Sequence, residues 1–513
     1  MAEEIRGSKV LITAVVMCAA LMAVLDISIV NVAISDIRAS FGTPIDQIAW
    51  VSTGYMMANI VVIPMTGWLQ RKFGYRRYFS TSILVFTAAS ALCGLAWNLP
   101  TLVLFRVLQG LGGGAIIPTS QAILFARYPR EQHGMAGAMF GLGAVTGPLL
   151  GPTLGGYLIE KLSWHWIFLI NVPVGLLVAS LAFRVIEEPG FTPTRDPIDR
   201  WGIGLLAVGM ATLQYVLEEG NRDGWLESPL IAVLGTLSVI VLVTFVVHEL
   251  ETEHPVVDLR VFANRSYAAS TGINFLIGTA LFSSTFLFSL YCGAVMHYSA
   301  LDIGLLFLKG SCIQLLVMPL VGKFNNSIDQ RLMIAWGVVV MCVSLWLNAH
   351  LTNLADERAM IMPIFVRSLG LGFLFVPLSV VALSGLPANQ RGNAAGLFNL
   401  TRELGGSIGT AFMSFQLDRT SRAYYQYLAE KVNVFDANTL DQVQAMTGRF
   451  VGQVADPRAA ALRAMGGRLS AQALIRAFND GFMQLVFVFF IGIALTALIQ
   501  RAKPGAPAPA GAH

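Results

Sequence analysis

GAVTGPLLGPTLGG, residues 143–156, is apolar enough to lie in a membrane, yet it holds two prolines and five glycines. Gly143, Gly147, Gly151 and Gly155 recur every four residues, Pro148 and Pro152 repeat at the same interval, and Gly156 closes the run. On a helix that spacing sets the glycines on one slowly drifting stripe, where a second backbone can approach closely. Each proline removes an intrahelical hydrogen bond and predicts a bend. A Gly-rich turn between strands would use the same residue types. A turn needs no apolar flanks, however, and here apolar sequence continues for about a helix length on either side.

Composition places the whole chain in the same setting. Of 513 residues 55% are hydrophobic and only 12% charged, and the mean hydropathy is +0.65. Soluble domains carry about a quarter of their residues as charges. Here the charges fall in short clusters between apolar runs of about 20 residues, the length a helix needs to cross hydrocarbon. The first apolar run holds an acid and is followed by many others, so it reads as a retained span and not a signal peptide. Cys18, Cys93, Cys292, Cys312 and Cys342 all sit in apolar runs without metal-ligand spacing, which makes them small hydrophobes and predicts no metal site. The net charge of +4 is orientation information and not a nucleic-acid signature.

The fold class is an all-α polytopic membrane protein. Spans are expected near 10–33, 46–69, 78–97, 101–125, 134–159, 165–186, 201–219 and 229–249, then near 267–292, 302–322, 331–350, 359–384, 394–417 and 478–500. Fourteen spans put both termini on one side. The short loops and tails of that side carry eighteen Lys and Arg, Arg6, Arg195, Arg501 and Lys503 among them, against four on the other side. That asymmetry makes both termini cytoplasmic. One connection differs from the rest. Residues 418–477 are too long to count toward orientation and are helix-capable, as in LSAQALIRAF at 469–478, which predicts a small folded lobe on the far side. The tail 504–513 is Pro/Ala-rich and expected to be disordered. No nucleotide-binding loop is present, and nothing points to ATP as the energy source.

Several residues are too costly to be filler in hydrocarbon. Asp26 lies midway along the first span in LDISIVNVAI. An ionised carboxylate at that depth must face a cavity, a partner or a proton, and alternation between charged and neutral forms is what a proton-coupled carrier needs. The competing reading is a structural acid bonded to a neighbouring helix. Asn31 falls on roughly the opposite face. Arg106, in LVLFRVLQGLGGG, shares a face with Gln109, while Gly110, Gly113 and Gly114 admit a close neighbour. It either tunes the proton affinity of a nearby acid or snorkels to the membrane surface. Lys309 and Gln314 in the tenth span and Arg367 in the twelfth suggest a hydrated cavity for an anionic or hydrogen-bonding substrate, with a structural salt bridge as the equal alternative for Lys309. Arg402 and Glu403, in TRELGGSIG, read as a local pair nearer a membrane face.

Two further motifs stand at helix ends. GWLQRKFGYRR, residues 67–77, ends a span and leaves four basic residues on the terminus side. Positive-inside anchoring explains it, and so does a latch whose charges meet helix ends when that side closes. WHWIFLINVPVG, residues 164–175, is an aromatic anchor followed by a kink at Pro173.

LDISIVNVAI, GWLQRKFGYRR, RVLQGLGGG, the Gly/Pro stretch and WHWIFLINVPVG together resemble the signatures of the major facilitator transporters. They are most similar to the fourteen-helix drug:proton antiporters, and the resemblance covers nearly the whole chain. It implies a 6+2+6 arrangement: an N-terminal six-helix half at 1–190, two inserted helices at 191–265 and a C-terminal half at 266–503. It implies export of hydrophobic or amphipathic drugs driven by the proton gradient, without enzyme activity or a cofactor. Proton coupling would belong to Asp26 and Arg106. The substrate cavity would be served by Asn31, Gln109, Lys309, Gln314 and Arg367. The antiporter motif would be the 143–156 stretch, and a cytoplasmic gate would form from Gly67, Gln70, Arg71, Gly74, Arg76 and Arg77. The implied partners are a periplasmic membrane-fusion adaptor and an outer-membrane channel, with the carrier in the inner membrane. An exporter dedicated to one compound, such as a fatty acid or siderophore, is the alternative. One position departs from the family. Gln70 stands where an Asp is usual, so closure cannot use that acid and must rely on hydrogen bonding or other pairs.

Overall fold

Hydrocarbon offers backbone N–H and C=O groups no partners, so long apolar runs satisfy them internally as helices. The computed structural model describes residues 8–188, 191–193, 197–325, 327–432, 437–451 and 456–500. Arg6, Arg195, Arg501, Lys503 and the 504–513 tail lie outside the described residues. Each of the fourteen expected stretches falls on a helix. These are α1 (Lys9–Phe41), α2 (Trp50–Phe73), α3 (Tyr75–Gly94), α4 (Leu99–Arg127), α5 (His133–Lys161), α6 (Trp166–Val185), α7 (Arg200–Glu219) and α8 (Pro229–Glu251). They continue as α9 (Arg265–Ala294), α10 (Leu301–Phe324), α11 (Gln330–Asn348), α12 (Glu357–Ser384), α13 (Arg391–Glu430) and α14 (Pro457–Thr496). Among the described residues, ten helices (α1, α4, α6 to α12 and α14) are long and apolar enough by length and composition to cross a membrane.

The helices pack as two bundles with matching pairings. In the first, α1 lies against α5 and α2 and α3 against α4; in the second, α9 lies against α13 and α10 and α11 against α12. The α7/α8 hairpin sits beside them, with α7 touching α2 of one bundle and α13 of the other. Trp50 and Tyr215 rings lie 5.6 Å apart, and Asn221 Nδ2 donates to Ser414 Oγ at 3.0 Å.

Local chemistry explains the breaks. Asn98 caps α4 by accepting from Thr101 N at 2.9 Å, and Pro100 occupies the first turn, where its missing N–H is harmless. α6 is divided at Ile170, between short helix Trp166–Leu169 and the main run Asn171–Val185. Pro173 cannot donate to the carbonyl four residues back, Leu169, which places the discontinuity where the sequence predicts a kink.

The expected 418–477 loop is only partly a loop. α13 runs on to Glu430 and α14 starts at Pro457, so both helices continue well past the apolar spans. A short helix, Ala437–Phe450, joins them around a small core of Met446, Ala461 and Met465. The polar stretches stay helical because backbone bonding continues wherever water or a packed face covers the side chains.

Candidate functional site

The α5 stripe fixes α1 in place. A Cβ at Gly147 would lie 2.7 Å from Val24 Cβ and 2.9 Å from Leu25 N, and one at Gly151 would lie 2.5 Å from Ser28 Cβ. Gly143 and Gly155 face Met17 and Ile29 of the same helix, whereas Gly156 faces open space. α5 continues unbroken through Pro148 and Pro152. The tight contact therefore brackets Asp26 and sets its depth and rotation.

Asp26 points away from α5 into a closed polar cluster. Its Oδ2 accepts from Arg106 Nη1 at 2.6 Å, and its Oδ1 accepts from Gln109 Nε2 and from Asn171 Nδ2, each at 2.9 Å. Arg106 Nη1 also donates to Gln109 Oε1 at 2.8 Å, and its Nε donates to Val51 O at 3.0 Å. The guanidinium carbon stands 4.3 Å from the centre of the Tyr55 ring. Asn171 is held in turn by Ser90 Oγ at 3.1 Å. Asp26 and Arg106 are 0% and 1% exposed. A pair so far from water is held by these surrounding hydrogen bonds, and loss of one member strands the other.

The bundles meet at the ends of the helices that share a side with the termini. A Cβ at Gly67 of α2 would fall 2.4 Å from Asn393 Cα of α13. Gly134 and Gly322 also bring α5 and α10 into backbone contact. Polar bonds join the same surfaces: Asn399 Nδ2 donates to Gln121 Oε1 at 2.7 Å, Gln121 Nε2 donates to Ser379 Oγ at 3.3 Å, and His133 Nδ1 lies 2.6 Å from Ser384 Oγ. Gln70 is buried here and donates to Thr119 Oγ1 at 3.1 Å. Neutral amides and hydroxyls are among the groups that join the bundles on this side.

The Major Facilitator Superfamily profile matches residues 16–410. The chain belongs to this superfamily. It is 35% identical over 438 residues to the multidrug export protein EmrB of Haemophilus influenzae, covering 84% of each chain. It is 31% identical to the multidrug export protein EmrB of Escherichia coli K12, covering 98% of this chain and 97% of the other. The fatty acid resistance protein FarB of Neisseria gonorrhoeae is 30% identical, over 96% of each chain. Among solved structures, the human organic anion transporter MFSD10 matches with a TM-score of 0.60 at 11% identity, over 96% of this chain and 100% of the other, which is a likeness of fold. As a member of a superfamily of carriers, the protein is a transporter and not an enzyme.

The major facilitator fold brings some expected residues together and separates others. Asp26, Arg106 and Gln109 share one network. Asn31 is exposed on another face of α1. Lys309 pairs with Glu357 at 2.5 Å, and both are about half-exposed, which places Lys309 at a rim. Gln314 is buried at the break within α10, with its Nε2 unpartnered. Arg367 is buried on α12 against Ser284 and Thr285. Arg402 and Glu403 lie 3.6 Å apart and line a cavity of about 10 Å³ between the bundles, with Asn59, Asn399, Gly113 and Gly114. That position is internal, not the membrane-face position expected for them, because α13 already runs eleven residues from its start before reaching Arg402.

The basic motif after α2 divides into two roles. Gly67 and Gln70 join the bundle interface. Gly74, at φ 78°, makes the turn into α3, and the Glu188 carboxylate accepts from Tyr75 N at 2.7 Å and Arg76 N at 3.0 Å. Arg76 Nε donates to Phe183 O at 2.6 Å in the last turn of α6, where a cation suits the helix end. Arg71 is partly buried and Arg77 exposed.

Sequence reasoning missed Asn171 as a ligand of the carboxylate, Ser90 as its support, and Gln121 and Asn399 as closing contacts. The only signal was that an amide inside an apolar run demands a partner. Among the described residues no group of three or more His, Cys, Asp or Glu is placed to hold a metal.

Proposed function

We propose that this protein is a proton-coupled antiporter that exports hydrophobic or amphipathic drugs by alternating access, as the inner-membrane component of a tripartite pump. The observation that carries the reading is the Asp26–Arg106 pair, fully buried and held by Gln109, Asn171 and the Val51 carbonyl. Protonation of Asp26 from the far side releases Arg106 and loosens α1 from α4 and α6. Deprotonation toward the terminus side restores the lock. Rocking of the two bundles about their shared interface then exchanges one open face for the other. Neutral bonds such as Asn399–Gln121 join the bundles at the terminus side, which supports a gate that shuts with Gln70 in place of an acid.

The organisation goes with this reading: fourteen spans as 6+2+6, both termini cytoplasmic, with α7 and α8 inserted between the halves. α2, α3 and α13 carry more small and polar residues than an isolated span tolerates, and packing against other helices compensates for that. The lobe built from the ends of α13 and α14 faces the periplasm and docks the adaptor. An exporter dedicated to one compound is the second reading, favoured by the 30% identity to a fatty acid resistance protein.

Purified protein in liposomes with an imposed pH gradient tests the proposal. Proton-driven efflux of several unrelated hydrophobic dyes is expected. Flux of a single metabolite class would favour the dedicated exporter, and absence of any gradient-driven flux would refute both.

A further inference from the structure

The matching of the two bundles extends to a buried arginine. Arg106 stands on α4 and reaches Asp26 on α1, over the Tyr55 ring of α2. In the second bundle Arg367 stands on α12, the helix that takes the place of α4, and reaches Ser284 and Thr285 on α9, the helix that takes the place of α1. Its guanidinium carbon lies 5.3 Å from the centre of the Phe307 ring on α10, the counterpart of α2. The cation, the aromatic ring and the approaching helix are repeated. The carboxylate is not.

What replaces it is weaker. Arg367 Nη1 is 3.0 Å from Thr285 Oγ1 and 3.4 Å from Ser284 Oγ. Both hydroxyls spend their own protons on Leu281 O, at 2.7 and 3.2 Å, so they turn only lone pairs to the guanidinium. Arg367 is 8% exposed, its Nε is buried without a partner, and among the described residues no carboxylate forms an ion pair with it. A guanidinium withdrawn from water with neutral partners and an idle donor is unfavourable until an anion arrives. Thr285 and Phe307 are only partly buried, which leaves that edge of the site approachable.

The geometry points to Arg367, Ser284, Thr285 and Phe307 as a binding site for the carboxylate of an amphipathic anion, with the ligand supplying the charge that Asp26 supplies in the first bundle. A planar guanidinium fork suits a carboxylate better than a spherical ion, and the Phe307 ring offers an apolar face to the body of the same molecule. This inference rests on the export reading and narrows its cargo: aromatic or aliphatic carboxylates enter the second bundle head-first, while the proton occupies the first.

The test is equilibrium binding of 2-naphthoate and of neutral 2-naphthamide to the full chain in phosphatidylcholine nanodiscs. The wild type is expected to prefer naphthoate about tenfold or more, the scale of one charge-assisted contact. Arg367→Gln should bring that preference close to unity. Thr285→Asp should do the same by installing the missing acid inside the chain, and it keeps the arginine and its packing. A wild type without preference, or a preference that survives either substitution, overturns the site. Repeating the titration with phosphatidylglycerol in the disc separates cargo from lipid: displacement of naphthoate from the wild type would give the site to a lipid phosphate and overturn the cargo assignment. Binding needs no gradient, so failure of proton-driven efflux would sink the export reading and leave this result to stand or fall separately.

Discussion

Asn399 Nδ2 of α13 donates to Gln121 Oε1 of α4 at 2.7 Å, a neutral bond that joins the two bundles across 278 residues of sequence. Both side chains are buried, at 1% and 0% exposure. Asn399→Ala should therefore leave Gln121 with a buried acceptor unpaired and weaken the closed terminus side by about 1–3 kcal/mol. Spin labels at exposed Arg77 and Lys323, one in each bundle, would read the shift as a longer-distance population. Unchanged distances would show that helix packing alone holds this side shut.

Asp26→Asn should eliminate proton-driven efflux while the protein remains inserted and folded. Asparagine fills the same space and can still accept from Gln109 or Asn171, but it cannot release a proton. Dye efflux from liposomes under a pH gradient is the measurement. A variant that still concentrates dye with the wild-type dependence on pH would remove Asp26 from coupling.

Arg106→Ala removes three hydrogen bonds and strands a buried carboxylate, at a cost of about 3–5 kcal/mol. Arg106→Lys keeps the charge yet cannot serve Val51 O, Asp26 and Gln109 together over the Tyr55 ring. Melting temperature and coupled flux should fall in the order wild type, Lys, Ala. Near-normal flux in both variants would restore the snorkelling reading.

Gly147→Leu and Gly151→Leu should impair transport by wedging α5 from α1. The new Cβ atoms would meet Val24 and Ser28 inside 3 Å, so the helices must separate, at about 1–3 kcal/mol of strain. Gly156→Leu, with open space around it, is the control expected to be neutral. Normal flux in the first two would show that α1 gives way at little cost.

Replacing 432–456 with a short Gly/Ser linker removes the helix Ala437–Phe450 and leaves α13 and α14 whole. Flux in liposomes should persist, and co-purification of a periplasmic adaptor from cells should be lost. Retained adaptor binding would move the docking surface elsewhere, and lost flux would make the lobe part of the outer gate.

The sequence alone determined the membrane class, the order and placement of the helices, the glycine stripe and the costly residues Asp26, Arg106 and Arg367. It could do so because a helix closes its backbone bonds within four residues, and a 20-residue apolar run has no other way to satisfy them in hydrocarbon. Only the tertiary structure decided who partners whom. Asp26 is 80 residues from Arg106 and 145 from Asn171, and those meetings depend on the rotation of α1, which α5 sets by letting its backbone in at Gly147 and Gly151. The two arginines show the limit most plainly. In sequence each is a basic residue inside an apolar helix, followed by glycines. Packing gives Arg106 a carboxylate and Arg367 two hydroxyls, because the facing helix carries an acid in one bundle and Ser-Thr in the other.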